Sequence, residues 1–292
     1  MEKSRIAVIG AGAIGGITAA LMAEKGYDVW LVCKHMEIAD LANGRGLHVR
    51  GYCGEHTVPV HSVAAVEELK DSFDLCMIAT KAYDMPECAK AMLPLLREDS
   101  LVVSMQNGIC TDALAAIVGR ERTVGCVIGW GATMHGPGEL EMTSGGDFII
   151  GRLVKGEHPR MEALRQALSA VVETRVSQDI YAELYSKLIV NSCITSLGAI
   201  CGLHLGEMLK RRRARDIFLA IIGEAMDVAH AMKLQVPPFG GKLDYEKLMH
   251  PEEERKKEAE ELLTMLEDFS KPIRDLLEKL YDPMCQVVIG ME

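Results

Sequence analysis

The sequence predicts an α/β domain built on a doubly wound parallel sheet, followed by an all-α domain. Three observations carry this. Short β-branched apolar runs alternate with helical patterns through the first half of the chain. A glycine-rich turn joins the first such run to the first helical stretch. After Val176 no further strand pattern appears, and apolar residues recur at helical spacing. Strand–helix alternation is how a parallel sheet covered on both faces is written in sequence.

Arg5–Gly10 (Arg-Ile-Ala-Val-Ile-Gly) is the first strand, and Ile17–Glu24 is a helix-forming stretch. Between them Gly10, Gly12 and Gly15 hold a G-x-G-x-x-G spacing, the mark of a Rossmann-type dinucleotide site in this strand–turn–helix context. Gly10 allows the tight turn, Gly12 lets a pyrophosphate approach the backbone, and Gly15 lets the helix pack close. The free N–H groups and the positive dipole end of the helix then meet the phosphates. Gly10, Ala11, Gly12, Ala13, Ile14 and Gly15 are therefore the candidate cofactor turn. The alternative is a glycine-rich turn that holds no nucleotide.

Asp28–Val32 is the second strand, after a Lys25-Gly26 helix stop. An NAD site ordinarily closes this strand with an acidic residue on the ribose 2′-hydroxyl. Here Cys33, Lys34 and His35 follow, and Glu37 comes too late. A cation suits a 2′-phosphate, so NADP(H) is the expected cofactor, with Lys34 as its contact. The alternative for Lys34 is a solvated surface lysine.

Asp74–Thr80 is a buried strand, Pro86–Leu96 a helix, Leu101–Met105 a strand ending in Gln106-Asn107-Gly108, and Thr123–Ile128 a further strand. Pro137-Gly138 is a turn joining Gly131–Met134 to Glu139–Thr143, and Asp147–Gly151 follows as a strand. Asp179–Cys201 is a long apolar helix capped by Ser177 or Asp179. Asp216–Met232 is a second, with Ile217, Ile221, Ala225, Val228 and Met232 as its apolar stripe. Glu252–Phe269 is a third, with Ala259, Leu262, Leu263 and Leu266 on one face. The expected domains are 1–176, which binds NADP(H), and 177–292, which is helical and takes the substrate, with the joint near Ser177.

The chain has 292 residues, enough for two domains. Its 32 basic and 42 acidic residues give a formal charge of −10, which argues against nucleic acid as a partner. The basic cluster Lys210–Arg213 with Arg215 reads as a solvated helix start. The 9 cysteines are scattered without a C-x-x-C pair; Cys33, Cys76, Cys126, Cys193 and Cys201 sit in apolar runs. Buried reduced thiols in a cytoplasmic protein are expected, with no disulfide frame and no metal site. No signal peptide is visible. The longest uncharged run, Leu188–Leu203, is shorter than a membrane span and carries Asn191, Ser192, Thr195 and Ser196. A buried interdomain helix is expected there, and no membrane.

Hydride transfer to a carbonyl needs a proton donor, polar groups for the substrate, and exclusion of water. Lys187, Asn191 and Thr195 recur four apart in Asp179–Cys201 and form one polar stripe on an apolar helix. A partly desolvated lysine there becomes a usable acid near neutrality. The competing reading is a Glu183–Lys187 surface ion pair. On these residues alone the two stand level.

Five places in order carry a resemblance to the ketopantoate reductase (2-dehydropantoate 2-reductase) family. They are Gly10–Gly15, Thr80–Asp84, Gln106-Asn107-Gly108, Gly131-Ala132 with Pro137-Gly138, and Ala182–Asn191. The resemblance covers roughly Arg5 to Pro237. It implies a 6-phosphogluconate-dehydrogenase-like helical domain and NADPH-dependent reduction of ketopantoate to (R)-pantoate, in the pathway to pantothenate and coenzyme A. It implies Lys187 as general acid, Asn191 as substrate ligand, Asn107 between nicotinamide and substrate, and Lys34 at the 2′-phosphate. It also implies Lys81 near the cofactor phosphates or ribose, and Ala132 as a backbone contact to the nicotinamide end. Lys81 reads equally as a surface lysine after a strand.

The chain also departs from the family. Thr195-Ser196 stand where the family has a second asparagine followed by proline, which makes Thr195 the candidate substrate contact there, and Leu205 replaces a polar contact. Thr264-Met265-Leu266-Glu267-Asp268 is similar to the first part of the C-terminal signature, whose Thr-Glu-Ile-Asp part is here Asp275-Leu276-Leu277-Glu278. A leucine thus takes the place of the assisting glutamate. The sequence given ends at Glu292, where the family carries a further helix. The expectation is an altered substrate pocket, or a shortened or replaced C-terminus. Two other functions stay open: reduction of another branched or aromatic 2-oxo acid, and an NADP-binding relative without turnover. The partner expected is a small-molecule 2-oxo acid; a homodimer stays open as the assembly.

Overall fold

A computed structural model of the protein describes residues 4–249. The expected helix Glu252–Phe269, and the segments Thr264–Asp268 and Asp275–Glu278, lie outside the described residues. The elements run β1 (Arg5–Ile9), α1 (Ala13–Glu24), β2 (Asp28–Val32), α2 (Met36–Asn43), β3 (Leu47–Gly51), β4 (His56–Val58) and β5 (His61–Val63). They continue with β6 (Phe73–Ile78), α3 (Met85–Met92), β7 (Leu96–Ser104), α4 (Thr111–Val118), β8 (Thr123–Ile128), β9 (Gly131–Gly136) and β10 (Glu139–Ser144). Then follow β11 (Phe148–Arg152), α5 (Met161–Ser169), β12 (Thr174–Val176), α6 (Ile180–Cys201), α7 (Leu205–Leu209), α8 (Arg212–Ala231) and α9 (Tyr245–Met249). The chain forms two compact units that divide within α6, after Leu184.

The first unit holds an eight-stranded sheet ordered β12-β11-β8-β7-β6-β1-β2-β5. Every pairing in it is parallel except β11 on β8. Its central strands are buried on both faces. Ile6, Val8, Leu75, Met77, Leu101 and Val103 enter one core, while Ala7, Ile9, Cys76, Ile78 and Val102 enter the other. The alternation within each strand is the side-chain period of two, and two apolar faces require helices on both sides. Each such leucine or isoleucine contributes about 1.5–3 kcal/mol by burial. The chain reverses direction across the sheet between β1 and β6, the switch point where open α/β sheets bind ligands.

A second sheet, β4-β3-β10-β9, stands beside the first. The Pro137-Gly138 turn forms its β9–β10 hairpin, with Gly138 at φ +74°. It packs on α1, where the missing Cβ of Gly16 admits Leu140. The sequence pattern predicts none of β3, β4, β5 or α2. The strands are short, and their histidines, arginine and threonine hide the alternation.

Three expectations are corrected. The helix expected over Pro86–Leu96 stops at Met92; Leu93–Leu95 is a 3-10 turn around Pro94, and β7 starts at Leu96. Proline lacks the N–H and disfavours the helical conformation of the residue before it. Helix α8 starts at Arg212, inside the basic cluster, and buries Phe218, Ile222, Met226 and Ala229. The stripe expected one residue earlier is half out: Ile217, Val228 and Met232 are exposed. With apolar residues filling Ile217–Ile222, periodicity alone does not choose a face, and the aromatic Phe218 claims the interior. Finally, Cys201 is exposed, while Cys33, Cys76, Cys126 and Cys193 are buried as free thiols.

Helix α6 begins one residue after Asp179, whose Oδ1 accepts from the Ala182 N–H at 3.1 Å as an N-cap. Ser177 Oγ in turn accepts from the Asp179 N–H at 3.2 Å. The full helix has the length and apolarity of a membrane span, with mean hydropathy 1.3, which the uncharged run alone does not. In the second unit it behaves as a core helix. Tyr185 Oη donates to the Ala225 carbonyl at 3.0 Å, and Cys193 Sγ contacts the Phe218 carbonyl at 3.7 Å, both on α8.

Candidate active site

The register of the large sheet assembles one functional edge. Val32, Ile9, Ile78 and Ser104 form a single row across β2, β1, β6 and β7. All four strands end at or just after that row and run parallel. The residues that emerge from it are Lys34, the Gly10–Gly15 turn, Lys81 and Asn107. Four positions distant in sequence thus come to one edge by backbone hydrogen bonding alone.

The turn has a distinct part for each glycine. Gly10 sits at φ +111°, and a Cβ there would lie 2.9 Å from the Ala79 carbonyl carbon. Its N–H donates to the Val32 carbonyl at 2.9 Å. Gly15 packs α1 onto the turn, since a Cβ would overlap the Gly10 carbonyl oxygen and crowd Ala79. Gly12 is different. It is the N-cap of α1 at φ −70°, with no capping side chain, and no acidic residue stands in the first turn. A Cβ on Gly12 would meet nothing within 4 Å. An uncapped helix start with open space over its cap fits a pyrophosphate: its N–H donors and dipole call for an anion.

Around this turn, Lys34 stands at φ +66°, a conformation uncommon outside glycine. Its ammonium is mostly exposed and lies 3.6 Å from Asp84 Oδ2. Its neighbour Cys33 is a buried thiol pushed up to about 11 by burial, against a hydrogen bond from Ser62 that lowers it. Lys81 is exposed, and its carbonyl accepts the Asp84 N–H at 3.0 Å. Asn107 is exposed at the end of β7, ahead of Gly108 at φ +81°. Ala132 is half-buried on β9, opposite Met142 in the second sheet, and β9 itself lies against α1. The large-sheet register does not bring it to the edge.

Two residues that sequence reasoning passes over shape this edge. Buried Gln106 accepts from Ser104 Oγ at 2.6 Å and donates to the carbonyls of Ile78 at 2.8 Å and Thr80 at 3.2 Å. It ties the ends of β6 and β7 together beneath Lys81 and Asn107. A glutamine after an apolar strand and before Asn-Gly is the only signal that could have pointed to it. Asp84 is the other.

In the second unit, Lys187, Asn191 and Thr195 share one side of α6 by their four-residue spacing. Lys187 and Asn191 are half-buried and Thr195 is exposed. Glu183, the partner the ion-pair reading gives to Lys187, is held by Arg175 through both carboxylate oxygens, at 2.7 and 3.0 Å. The residue before the lysine is anchored twice: Ser186 Oγ donates to the Pro237 carbonyl at 2.8 Å, and Tyr245 Oη donates to the Ser186 carbonyl at 2.5 Å. Leu205 opens α7 and is half-buried.

A doubly wound sheet with an uncapped glycine turn at its switch point, followed by a helical unit, defines a dinucleotide-binding protein of the class to which nicotinamide-dependent oxidoreductases belong. Family comparison specifies it further. The chain matches the model "Ketopantoate reductase PanE/ApbA" over residues 6–155 and its C-terminal counterpart over residues 179–278. It belongs to the ketopantoate reductase family. The match continues past Pro237, so the altered C-terminal signature lies within the family's range rather than beyond it. The chain is similar to the 2-dehydropantoate 2-reductase of Pyrococcus abyssi, 30% identical over 80% of this chain and 77% of that protein. It is 27% identical to that of Aquifex aeolicus, over 90% and 84%. A crystal structure of 2-dehydropantoate 2-reductase from Geobacter metallireducens superposes with TM-score 0.74 at 25% identity, covering 89% of this chain and 83% of the other.

Proposed function

We propose that this chain reduces 2-dehydropantoate (ketopantoate) to (R)-pantoate with NADPH. The observation that carries the reading is the open, uncapped Gly12 turn at the sheet's switch point in a member of this family. A reduced nicotinamide, when bound, supplies the electron pair and hydrogen that the 2-oxo carbon takes up. In this reading residues 1–176 bind the cofactor and residues 177–292 serve the substrate. The N–H groups of the Gly10–Gly15 turn hold the pyrophosphate, Lys34 faces the 2′-phosphate, and Lys81 lies at the phosphates or ribose. Ala132 offers its backbone to the nicotinamide end, and Asn107 stands between nicotinamide and substrate. Lys187 gives its proton to the carbonyl oxygen as that oxygen gains charge. Asn191, with Thr195 beyond it on the same helix side, holds the substrate's polar groups.

Loss of reduced-nicotinamide absorbance, followed with ketopantoate and a panel of branched and aromatic 2-oxo acids, tests this. Turnover best with ketopantoate is the expected result. Faster turnover of another 2-oxo acid moves the substrate assignment and keeps the class. NADPH binding without any turnover overturns the catalytic reading.

A further inference from the structure

The end of β2 lacks the carboxylate that an NAD site uses, yet the fold brings one there from the other side of β1. Strands β2 and β6 flank β1 in register, so the loops after them overhang the glycine turn together. The first carries Lys34 and the second carries Asp84, with Lys34 Nζ 3.6 Å from Asp84 Oδ2. Asp84 is the residue before α3, where an aspartate ordinarily caps its own helix. Its carboxylate makes no capping hydrogen bond. The loop's backbone holds it in place, with its N–H on the Lys81 carbonyl at 3.0 Å and its own carbonyl accepting from the Cys88 N–H at 3.3 Å. A second acid, Glu87, stands in the first turn of α3. The thiol of Cys88 registers this field: burial pushes it up most, Asp84 and Glu87 push it further, and Lys34 opposes them. Lys34 thus works beside the Asp84 carboxylate.

We propose that Lys34 and Asp84 form a two-charge selector at the adenosine ribose. The lysine attracts a 2′-phosphate, and the aspartate accepts from a free ribose hydroxyl. The chain then uses both NADPH and NADH, and Asp84 is the residue that limits its preference for NADPH. A carboxylate beside a cation has two opposed effects on a phosphate: it steadies the lysine and it repels the anion. An exposed ion pair contributes little order, whereas like-charge repulsion acts on the whole phosphate charge, so repulsion wins. The proposal rests on the reading that the Gly10–Gly15 turn holds a nicotinamide dinucleotide.

The test is the dissociation constant of NADPH and of NADH, by nicotinamide fluorescence, for the full chain and for Asp84→Asn and Lys34→Ala. Asp84→Asn is isosteric and is expected to tighten NADPH about tenfold, the worth of one neighbouring charge at a part-exposed site, and to weaken NADH slightly. Lys34→Ala is expected to weaken NADPH about tenfold and leave NADH within about twofold. Raising the salt concentration should shrink both NADPH effects. A merely structural Asp84 would move both cofactors together, and that result overturns the proposal. So does unchanged or weaker NADPH binding in Asp84→Asn. If Lys34→Ala moves NADPH alone while Asp84→Asn moves neither cofactor, the selector fails and the cofactor site stands. If the unaltered chain binds neither cofactor, both fall.

Discussion

In the proposed function the glycine turn and the polar stripe of α6 act in opposite ways. In Gly10–Gly15 the working groups are backbone N–H donors, and the sequence shows only which side chains are missing. In Lys187–Asn191–Thr195 the groups proposed to work are side chains, and the backbone is an ordinary helix. The difference decides what a substitution reports. A change in the turn tests conformation and access separately, because its glycines are there for different reasons. A change to alanine in the stripe tests chemistry, because a helix interior tolerates alanine best of all residues.

The largest effect is expected in the stripe. Lys187→Ala should lower kcat by about a hundredfold or more, the usual worth of a positioned general acid, while the Kd for NADPH stays within about twofold. Near-normal turnover would return the lysine to a structural part. In the turn, Gly15→Ala and Gly12→Ala should separate cleanly. The first forces a methyl onto the Gly10 carbonyl and should cost about 2 kcal/mol of stability, read as a fall in Tm. The second meets nothing in the protein and should leave Tm unchanged while weakening NADPH by about tenfold or more. Equal loss of stability in both variants would break the comparison. Next in size, Asn191→Ala should raise the KM for ketopantoate about tenfold with a smaller change in kcat, as for a contact made equally in ground and transition states.

The smallest effect concerns the second sheet. His48 has Glu139 at 2.6 Å on Nδ1 and Glu55 at 3.2 Å on Nε2. His56 has Glu24 at 2.9 Å on Nδ1 and the Cys53 carbonyl at 2.9 Å on Nε2. Acceptors on both ring nitrogens favour the imidazolium, the only form that donates twice. The His48 pKa is raised first by its hydrogen bond to Glu139, and that of His56 first by its bond to the Cys53 carbonyl. A raised pKa in the folded state stabilises fully below the unfolded value, about 6.5, and that contribution is lost as pH rises through the folded value. Tm should therefore decline gently above about pH 6.5, by no more than about 2 °C at these solvent-exposed pairs. A His48→Gln, His56→Gln double variant should flatten the decline; an unchanged slope would remove the histidines from it.

The turn was legible because left-handed and close-packed backbone positions admit almost only glycine, so Gly10 and Gly15 announce themselves. The buried strands were legible because two apolar faces leave continuous hydrophobic runs. Strands β3 and β4 of the small sheet were not, because His48, Arg50, His56 and Thr57 break the pattern. The buried face of α8 was misjudged by one residue, where six apolar positions in a row make two stripes equivalent. Asp84 and Gln106 stand inside the Thr80–Asp84 and Gln106-Asn107-Gly108 motifs, but no role of their own is legible there, because their partners come from other strands, through register that no local spacing encodes. The lysine at the centre of the stripe reads equally as an ion-pair residue in the sequence, because helical spacing alone does not separate the two roles.

The central claim, that Lys187 supplies the proton, is tested most directly by the pH dependence of kcat from about pH 6 to about pH 10, with NADPH and ketopantoate saturating. The unaltered enzyme should lose activity on the alkaline side as the lysine deprotonates. In Lys187→Ala that alkaline limb should be absent from the residual activity. The same limb persisting in the alanine variant would contradict the assignment.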